Sequence, residues 1–143
     1  MSSVVSIRVQ DDADDELMAV AENVSPLIEC EVVEAVCRSI THTYYAPFKR
    51  LVWLFTFSVI SPEKYANQRL QMFVRWDKKW KYPPESSTFF KAACVAVGRR
   101  LYRGEHITKS FWLRKVFRLR VRKVGEGPAA YSVVGQLLEK VTG

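Results

Sequence analysis

The chain has 143 residues, 48% of them hydrophobic, and a net charge of +7. The hydrophobic content excludes a disordered chain, and the length suits one folded domain. No apolar run approaches the roughly 20 residues that a membrane helix needs, so we expect no membrane partner. Three cysteines without CxxC spacing and the lack of a secretory signal predict reduced thiols and a cytoplasmic location.

The charge is divided unevenly along the chain. Residues 1–34 hold nine acidic residues and one basic residue, a balance of −8, whereas residues 35–143 hold 21 basic and six acidic residues, a balance of +15. We interpret residues 1–25 as an acidic, flexible arm and residues 26–143 as a basic domain that binds a polyanion. The arm either competes with that polyanion or serves only solubility.

We expect three strands in the first half of the basic domain, over residues 29–41, 50–60 and 69–76. Apolar residues such as Trp53 and Phe55 alternate with small polar ones in the second strand, so this apolar row should face a core. The third strand alternates as well and places Arg69, Phe73 and Arg75 on its outward face. Phe73 there either stacks on a ligand or packs on the surface.

The pattern then changes to a helical period. After two prolines, Ser86 or Ser87 can cap a compact apolar helix over residues 88–97 that ends at Gly98. A loop over residues 99–110 leads to the fourth strand. The last segment, residues 131–138, fits a strand or a short helix, because its apolar residues also occur at helical spacing.

The fourth strand contains a row of evenly spaced arginines. Phe117, Leu119 and Val121 fall on one face of an extended segment, and the other face carries Arg118, Arg120 and Arg122, followed by Lys123. Such a row repels itself unless water, salt or an anionic partner screens it. A phosphate backbone is one such partner, and a solvated basic face is the alternative.

The predicted order is therefore three strands, one helix and two strands. This mainly β arrangement is typical of an OB-like, five-stranded Greek-key barrel with its helix between the third and fourth strands, although other small barrels share it. OB-folds bind ligands across strands 2 and 3, between the loops that join strands 1 to 2 and 4 to 5.

Aromatic and cationic residues are interleaved on the predicted binding face. Single-stranded nucleic acid needs this combination, because rings stack on bases while lysine and arginine bind phosphates. The predicted nucleic-acid-binding residues, besides the four basic residues of the fourth strand, are Tyr44, Tyr45, Lys49, Arg50, Arg69, Phe73, Arg75, Lys78, Lys79 and Trp80. Trp80 could instead pack at the entry to the helix, and Lys78 and Lys79 could form an ordinary solvated turn.

Enzymatic functions fit the sequence poorly. His42 and His106, the two histidines, have no cysteine or carboxylate near them at metal-ligand spacing, and no nucleotide-binding or nucleophile motif occurs. The six acidic residues within residues 35–143 are spread singly, whereas a metal-dependent nuclease needs several that converge. We therefore predict a non-enzymatic protein without cofactor or metal.

Four stretches carry a resemblance to a known group of proteins: residues 51–55, 98–105, 116–121 and 131–134. The chain resembles small proteins from phages, plasmids and integrated elements over most of residues 29–140. Its layout is similar to that of OB-type single-strand-binding proteins of such elements. The resemblance implies single-stranded DNA binding with little sequence preference, in replication or recombination of a mobile element. An acidic tail at the C-terminus, typical of bacterial single-strand-binding proteins, is missing, which puts partner recruitment through a tail in doubt.

Two other functions remain open from the sequence. A protein-interaction adaptor or subunit of a nucleoprotein complex, with a protein partner or self-association, would also be enriched in Arg, Trp and Tyr. RNA could replace DNA as the ligand, because no residue here reveals recognition of a 2′-hydroxyl.

Overall fold

A computed structural model describes residues 15–19, 21, 25–45 and 49–141 of the chain. Most of the predicted acidic arm, residues 1–25, lies outside these residues. The elements follow in the order β1 (Val32–Tyr45), β2 (Arg50–Ser61), β3 (Arg69–Arg75), α1 (Thr88–Val97), β4 (Val116–Val124) and β5 (Tyr131–Lys140). The predicted order of three strands, one helix and two strands is confirmed.

The strands form one five-stranded antiparallel sheet in the order β3-β2-β1-β4-β5. The first strand is the central strand of the sheet, since residues 32–36 pair with β4 while residues 34–45 pair with β2. Register shifts occur at two points in the β1–β2 pair and at two points in the β4–β5 pair. Such irregularities bend strands and increase their twist, so they favour a curved sheet.

The sheet is open, so the OB-like barrel that the sequence predicted is not confirmed. Among the described residues, no hydrogen-bonded ladder joins the two edge strands β3 and β5. Their Cα atoms nevertheless come within 8 Å of one another. Curvature therefore brings the edges together, but the final pairing that would close a barrel is missing.

The helix α1 begins and ends as its sequence signals predict. The Ser87 hydroxyl accepts a hydrogen bond from the backbone N–H of Phe90 at 3.1 Å, and so caps the first turn. Gly98 adopts a left-handed conformation with φ of 75° and donates to the carbonyl of Cys94 at 2.8 Å. The buried face of the helix consists of Phe89 and three alanines, which let it approach the sheet closely.

Where the helix packs on the sheet, the core is rich in aromatic rings. Phe57 meets Phe117 edge-on, with ring centroids 6.3 Å apart, and Phe55 meets Trp112 in the same way at 5.0 Å. The Nε1 atom of Trp112 donates to the carbonyl of Ala92 at 3.2 Å, so its polar group is satisfied inside the core. The inward orientation predicted for the apolar row of β2 is confirmed.

Element boundaries differ from expectation at both ends of the domain. The first strand was expected over residues 29–41 but extends over Val32–Tyr45, because pairing with β2 continues to its end. The last segment is a strand, since it pairs with β4 along most of its length. Ser132 ties it to the preceding segment: its N–H donates to the Pro26 carbonyl, and its hydroxyl accepts from Ile28, both at 2.8 Å.

Candidate nucleic-acid interface

The face of the sheet that points away from the helix carries Arg69, Phe73 and Arg75 of β3, whereas the register places Tyr44, opposite Leu51, on the other face. Directly opposite residues in an antiparallel sheet share a face, so the strand register defines this outer face. Thr41, Leu54 and Phe73 form one row across β1, β2 and β3, and Val52 pairs with Arg75 in the next row. Phe73, which has no apolar neighbour on this face of its own strand, thus lies beside Leu54 of the adjacent strand.

An open cleft of about 530 Å³ lies at one end of the β1–β2–β3 meander. The end of β1, the start of β2 and the end of β3 meet there because the strands are antiparallel, and the N–H of Trp76 donates to the carbonyl of Leu51 at 3.3 Å. We call it the β1–β2 cleft. Its lining residues are Tyr44, Lys49, Arg50, Leu51, Arg75, Trp76, Asp77 and Lys78. Five of the predicted binding residues are therefore brought together from three separate stretches of sequence.

The charge of the β1–β2 cleft is strongly positive. Four of its lining residues are cationic, and Asp77 is the one carboxylate among the lining residues. Lys49 adopts a left-handed backbone conformation with φ of 52° at the start of β2. Tyr44 is 58% exposed, so its ring is available at the edge of this cationic surface. The cleft thus combines what a phosphate chain and a flat base require.

Arg75 is held in place by two neighbours. Its Nη2 atom lies 3.3 Å from the Asp77 carboxylate, and its guanidinium lies 5.8 Å from the centroid of the Trp80 ring. The second oxygen of Asp77 accepts from the N–H of Lys79 at 2.9 Å, which orders the turn that carries Lys78 and Lys79. Asp77, which the sequence reasoning did not select, is a positioning residue of the cleft.

Trp80 packs toward the helix through a second tryptophan. Trp76 contacts Phe89 in the first turn of α1, with ring centroids 5.2 Å apart, and Trp80 meets Trp76 edge-on at 5.6 Å. Of the two alternatives for Trp80, these contacts favour packing at the entry to the helix. One face of its ring is further occupied by the guanidinium of Arg75.

One other predicted residue lies apart from the cleft. Arg69 begins β3 opposite Ser58 and is about 20 Å from Arg75 along the strand, at 3.3 Å per residue. Arg69 therefore does not contribute to the geometry of the β1–β2 cleft. The predicted residue Tyr45 ends β1, and its side chain lies outside the described part of the structure.

The arginine row on β4 shows the predicted alternation. Phe117 and Leu119 are fully buried, while Arg120 and Arg122 are exposed. The expected anionic partner of the row is supplied by the chain itself. Arg118 binds Glu139 and also Glu34, the latter at 3.1 Å, and Arg120 binds Glu31 at 3.0 Å.

The far end of the arginine row is more open. Arg122 and the neighbouring Lys123 are exposed, and within the described residues neither forms an ion pair. Arg118 faces Glu34 of β1, ten residues before Tyr44, which is about 30 Å along the strand. The row is therefore a second basic patch, separate from the β1–β2 cleft.

The loop between α1 and β4 is fixed by one ion pair. The Arg99 guanidinium donates to both oxygens of Glu105, at 3.0 and 2.7 Å, and the N–H of Tyr102 donates to the same carboxylate at 2.8 Å. These contacts, above all the one with Arg99, lower the pKa of Glu105 to about 2. The stretch 98–105 that carried the family resemblance is thus a helix cap followed by an ion-paired loop.

The two histidines lie on different elements, His42 in β1 and His106 in the loop before β4. His42 stacks on Trp53, with ring centroids 4.3 Å apart and an angle of 12° between the planes. No group of three or more His, Cys, Asp or Glu side chains within the described residues could hold a metal ion. Burial raises the pKa of the Cys37 thiol to about 12, so this cysteine is a poor nucleophile.

None of the helices in the described ranges has the length and apolar character needed to cross a membrane.

Comparisons of the sequence with known proteins find no relative of the chain. The chain matches no protein-family model, and a search of curated proteins likewise finds no significant match. The resemblance to proteins of mobile elements therefore gains no support from related sequences, and the fold and the cleft carry the functional interpretation.

Proposed function

We propose that the protein binds single-stranded DNA without catalysis and with little sequence preference. The observation that carries this proposal is the β1–β2 cleft, whose lining comprises four cationic residues, an exposed tyrosine and one carboxylate. Cationic grooves lined by aromatic rings are the common design of proteins that hold single strands.

The domain that presents the cleft is proposed to be an OB-like Greek-key domain over residues 26–143. Two features support this assignment: the helix lies between β3 and β4, and β1 lies between β2 and β4 while the two edge strands approach each other. OB-folds are partly open barrels that bind ligands across strands 2 and 3, which here form the outer face beside the cleft.

Phosphates and bases would be held by different residues. Lys49, Arg50, Arg75 and Lys78 would bind the phosphate chain in the β1–β2 cleft, because they are its lining cations. Tyr44 would stack on a base there, and Phe73 would offer a further stacking surface along the outer face. Since every base has a π face and phosphates carry no sequence information, this mode of binding is tolerant of sequence.

The preference for single strands follows from the exposed rings. A ring can stack on a base only where the base is not already stacked and paired inside a duplex. The same argument applies to RNA, so the choice of DNA rests on the family resemblance, as do the roles in replication or recombination of a mobile element. The proposed cytoplasmic location rests on the three cysteines, which the sequence predicts to be reduced.

The test is fluorescence anisotropy of labelled single-stranded and double-stranded oligonucleotides of the same sequence, at several salt concentrations. We expect the single strand to bind more tightly, with an affinity that falls linearly with salt on a log–log plot. Labelled RNA in the same assay separates the two nucleic acids. Absence of binding to every oligonucleotide at low salt would refute the proposal and favour an adaptor that binds proteins.

A further inference from the structure

A second groove, of about 710 Å³, lies between the β3–α1 segment, the helix α1 and the α1–β4 loop. We call it the helix-loop groove. It shares no lining residue with the β1–β2 cleft. Its wall is mainly apolar and aromatic, and the residues that define it are Tyr82, Pro83, Phe90, Leu101, Tyr102 and Ile107.

The two tyrosines of the helix-loop groove are unusually accessible. Tyr82 is 73% exposed and Tyr102 is 68% exposed, although both line the same apolar depression. Each ring has a cation over it: the Lys81 ammonium lies 5.6 Å from the Tyr82 centroid, and the Arg99 guanidinium lies 4.2 Å from that of Tyr102. The remaining exposed ring surface is suitable for a flat, apolar-faced ligand group.

The charge around the groove favours an anionic ligand. Glu105 is the carboxylate among the lining residues, and Arg99 and the N–H of Tyr102 already bind it. Arg103 and His106 line the groove as well, and within the described residues Arg103 and Lys81 form no ion pair. A phosphate that enters would therefore meet cations, while the nearby negative charge is neutralised.

The two sites are close along the chain. Lys78 lines the β1–β2 cleft and Tyr82 lines the helix-loop groove, and four residues span at most about 14 Å. The intervening turn contributes Lys79 and Lys81, both exposed. A strand that leaves the cleft along this turn would pass cations until it reaches the tyrosines.

We propose that the helix-loop groove is a second subsite for the same single strand, in which an unpaired nucleobase stacks on Tyr82 or Tyr102. The proposal rests on the proposed function, since the strand is first held by the cations of the β1–β2 cleft. The protein then contacts a longer piece of DNA than the cleft alone accommodates, and its affinity rises with oligonucleotide length.

The test measures anisotropy with labelled oligothymidines of about 4 to 16 nucleotides, the range of site sizes for one OB domain. The full chain is compared with Tyr82→Ala, Tyr102→Ala and the ring-preserving control Tyr102→Phe. We expect the shortest oligonucleotides to bind all proteins equally. For the longest, at least one of the two alanine variants should lose about 5- to 140-fold in affinity, the factor that corresponds to one stacked base, and Tyr102→Phe should lose none.

The experiment distinguishes an error in the proposed subsite from an error in the proposed function. If the full chain binds no oligothymidine, the proposed function is wrong. If it binds but the alanine variants match it at every length, the function stands and the subsite is wrong, which leaves the groove to a protein ligand. Should Tyr102→Ala disturb the loop, photo-crosslinking of the full chain to bromodeoxyuridine oligonucleotides decides: adducts on Tyr82 or Tyr102 with long oligonucleotides alone support the subsite, and their absence overturns it.

Discussion

The β1–β2 cleft and the arginine row of β4 are both basic, yet their charges are used differently. In the cleft, the lining residues include four cations and one carboxylate. In the row, Arg118 and Arg120 are bound to three carboxylates from other parts of the chain. The row is the more regular pattern in the sequence, but carboxylates of the chain pair with two of its three arginines. The number of cations in a segment is therefore a weaker guide to a polyanion site than the carboxylates that fold against them.

The largest expected effect comes from removing cations in the cleft. In the triple variant Lys49→Gln/Arg75→Gln/Lys78→Gln, affinity for single strands should fall on the order of 100-fold at low salt, because three phosphate contacts are lost. The slope of log affinity against log salt should flatten by about 2, at roughly 0.7 per contact. Anisotropy titrations over a salt series measure both quantities.

The matched control for this variant is Arg118→Gln/Arg120→Gln/Arg122→Gln, which removes the same charge from the arginine row. We expect its salt slope to change by no more than about one contact, about 0.7, since two of the three arginines are already paired. Equal losses in the two triple variants would mean that the two patches are not distinct, and that only net charge matters.

Next in size is the loss of a stacking ring on the outer face. Phe73→Ala should weaken single-strand binding by about 1–3 kcal/mol without loss of the fold. Ile60→Ala is the control, because Ile60 is an exposed apolar residue at the opposite end of β2 from the cleft. Unchanged affinity of Phe73→Ala would remove this ring from the interface and confine binding to the cleft.

A smaller effect of opposite sign, a gain in affinity, is expected when the arginine row loses its carboxylate partners. In Glu31→Gln/Glu34→Gln the partners of Arg120 and Arg118 lose their charge, and affinity at low salt should rise by up to about fivefold, the factor that corresponds to an exposed ion pair. The double variant Glu63→Gln/Glu126→Gln makes the same change in net charge at sites without ion pairs among the described residues. If both double variants gain equally, the acidic residues do not shield the row specifically.

The smallest effect concerns stability. Arg120→Gln should lower the free energy of unfolding by about 0.2–1 kcal/mol, because the side chains of Arg120 and Glu31 are 47% and 76% exposed and water screens their attraction. Urea unfolding at low and high salt measures it, and the difference should shrink at high salt. A loss well above this range would show that the pair holds the segment before β1 in place.

Local sequence patterns predicted the features that depend on neighbouring residues. The helix α1 was placed correctly between Ser87 and Gly98 because a cap acts within one turn. The faces of β2 and β3 followed from alternation, which needs only the two-residue period of a strand. Where distant chain pairing decides the outcome, as at the end of β1 and in the choice of a strand for β5, the patterns were wrong or left alternatives open.

The candidate site was predictable in composition but not in arrangement. Tyr44, Arg75 and Lys78 were selected as separate signals, and only the antiparallel pairing of β1, β2 and β3 places them around one cleft. The exposed tyrosines Tyr82 and Tyr102 were not selected as binding residues, because nothing local shows that a loop after the helix folds back beside the segment before it.

The sequence by itself determined the order of the elements up to β4, the helix ends and the division of charge, since these depend on period, capping and composition. The tertiary structure alone decided which charges are balanced. Arg118 finds Glu34, 84 residues away, as a partner, and long-range strand pairing creates that contact. Coulomb energies depend on distance in space and on access to water, and neither quantity can be read from separation along the chain.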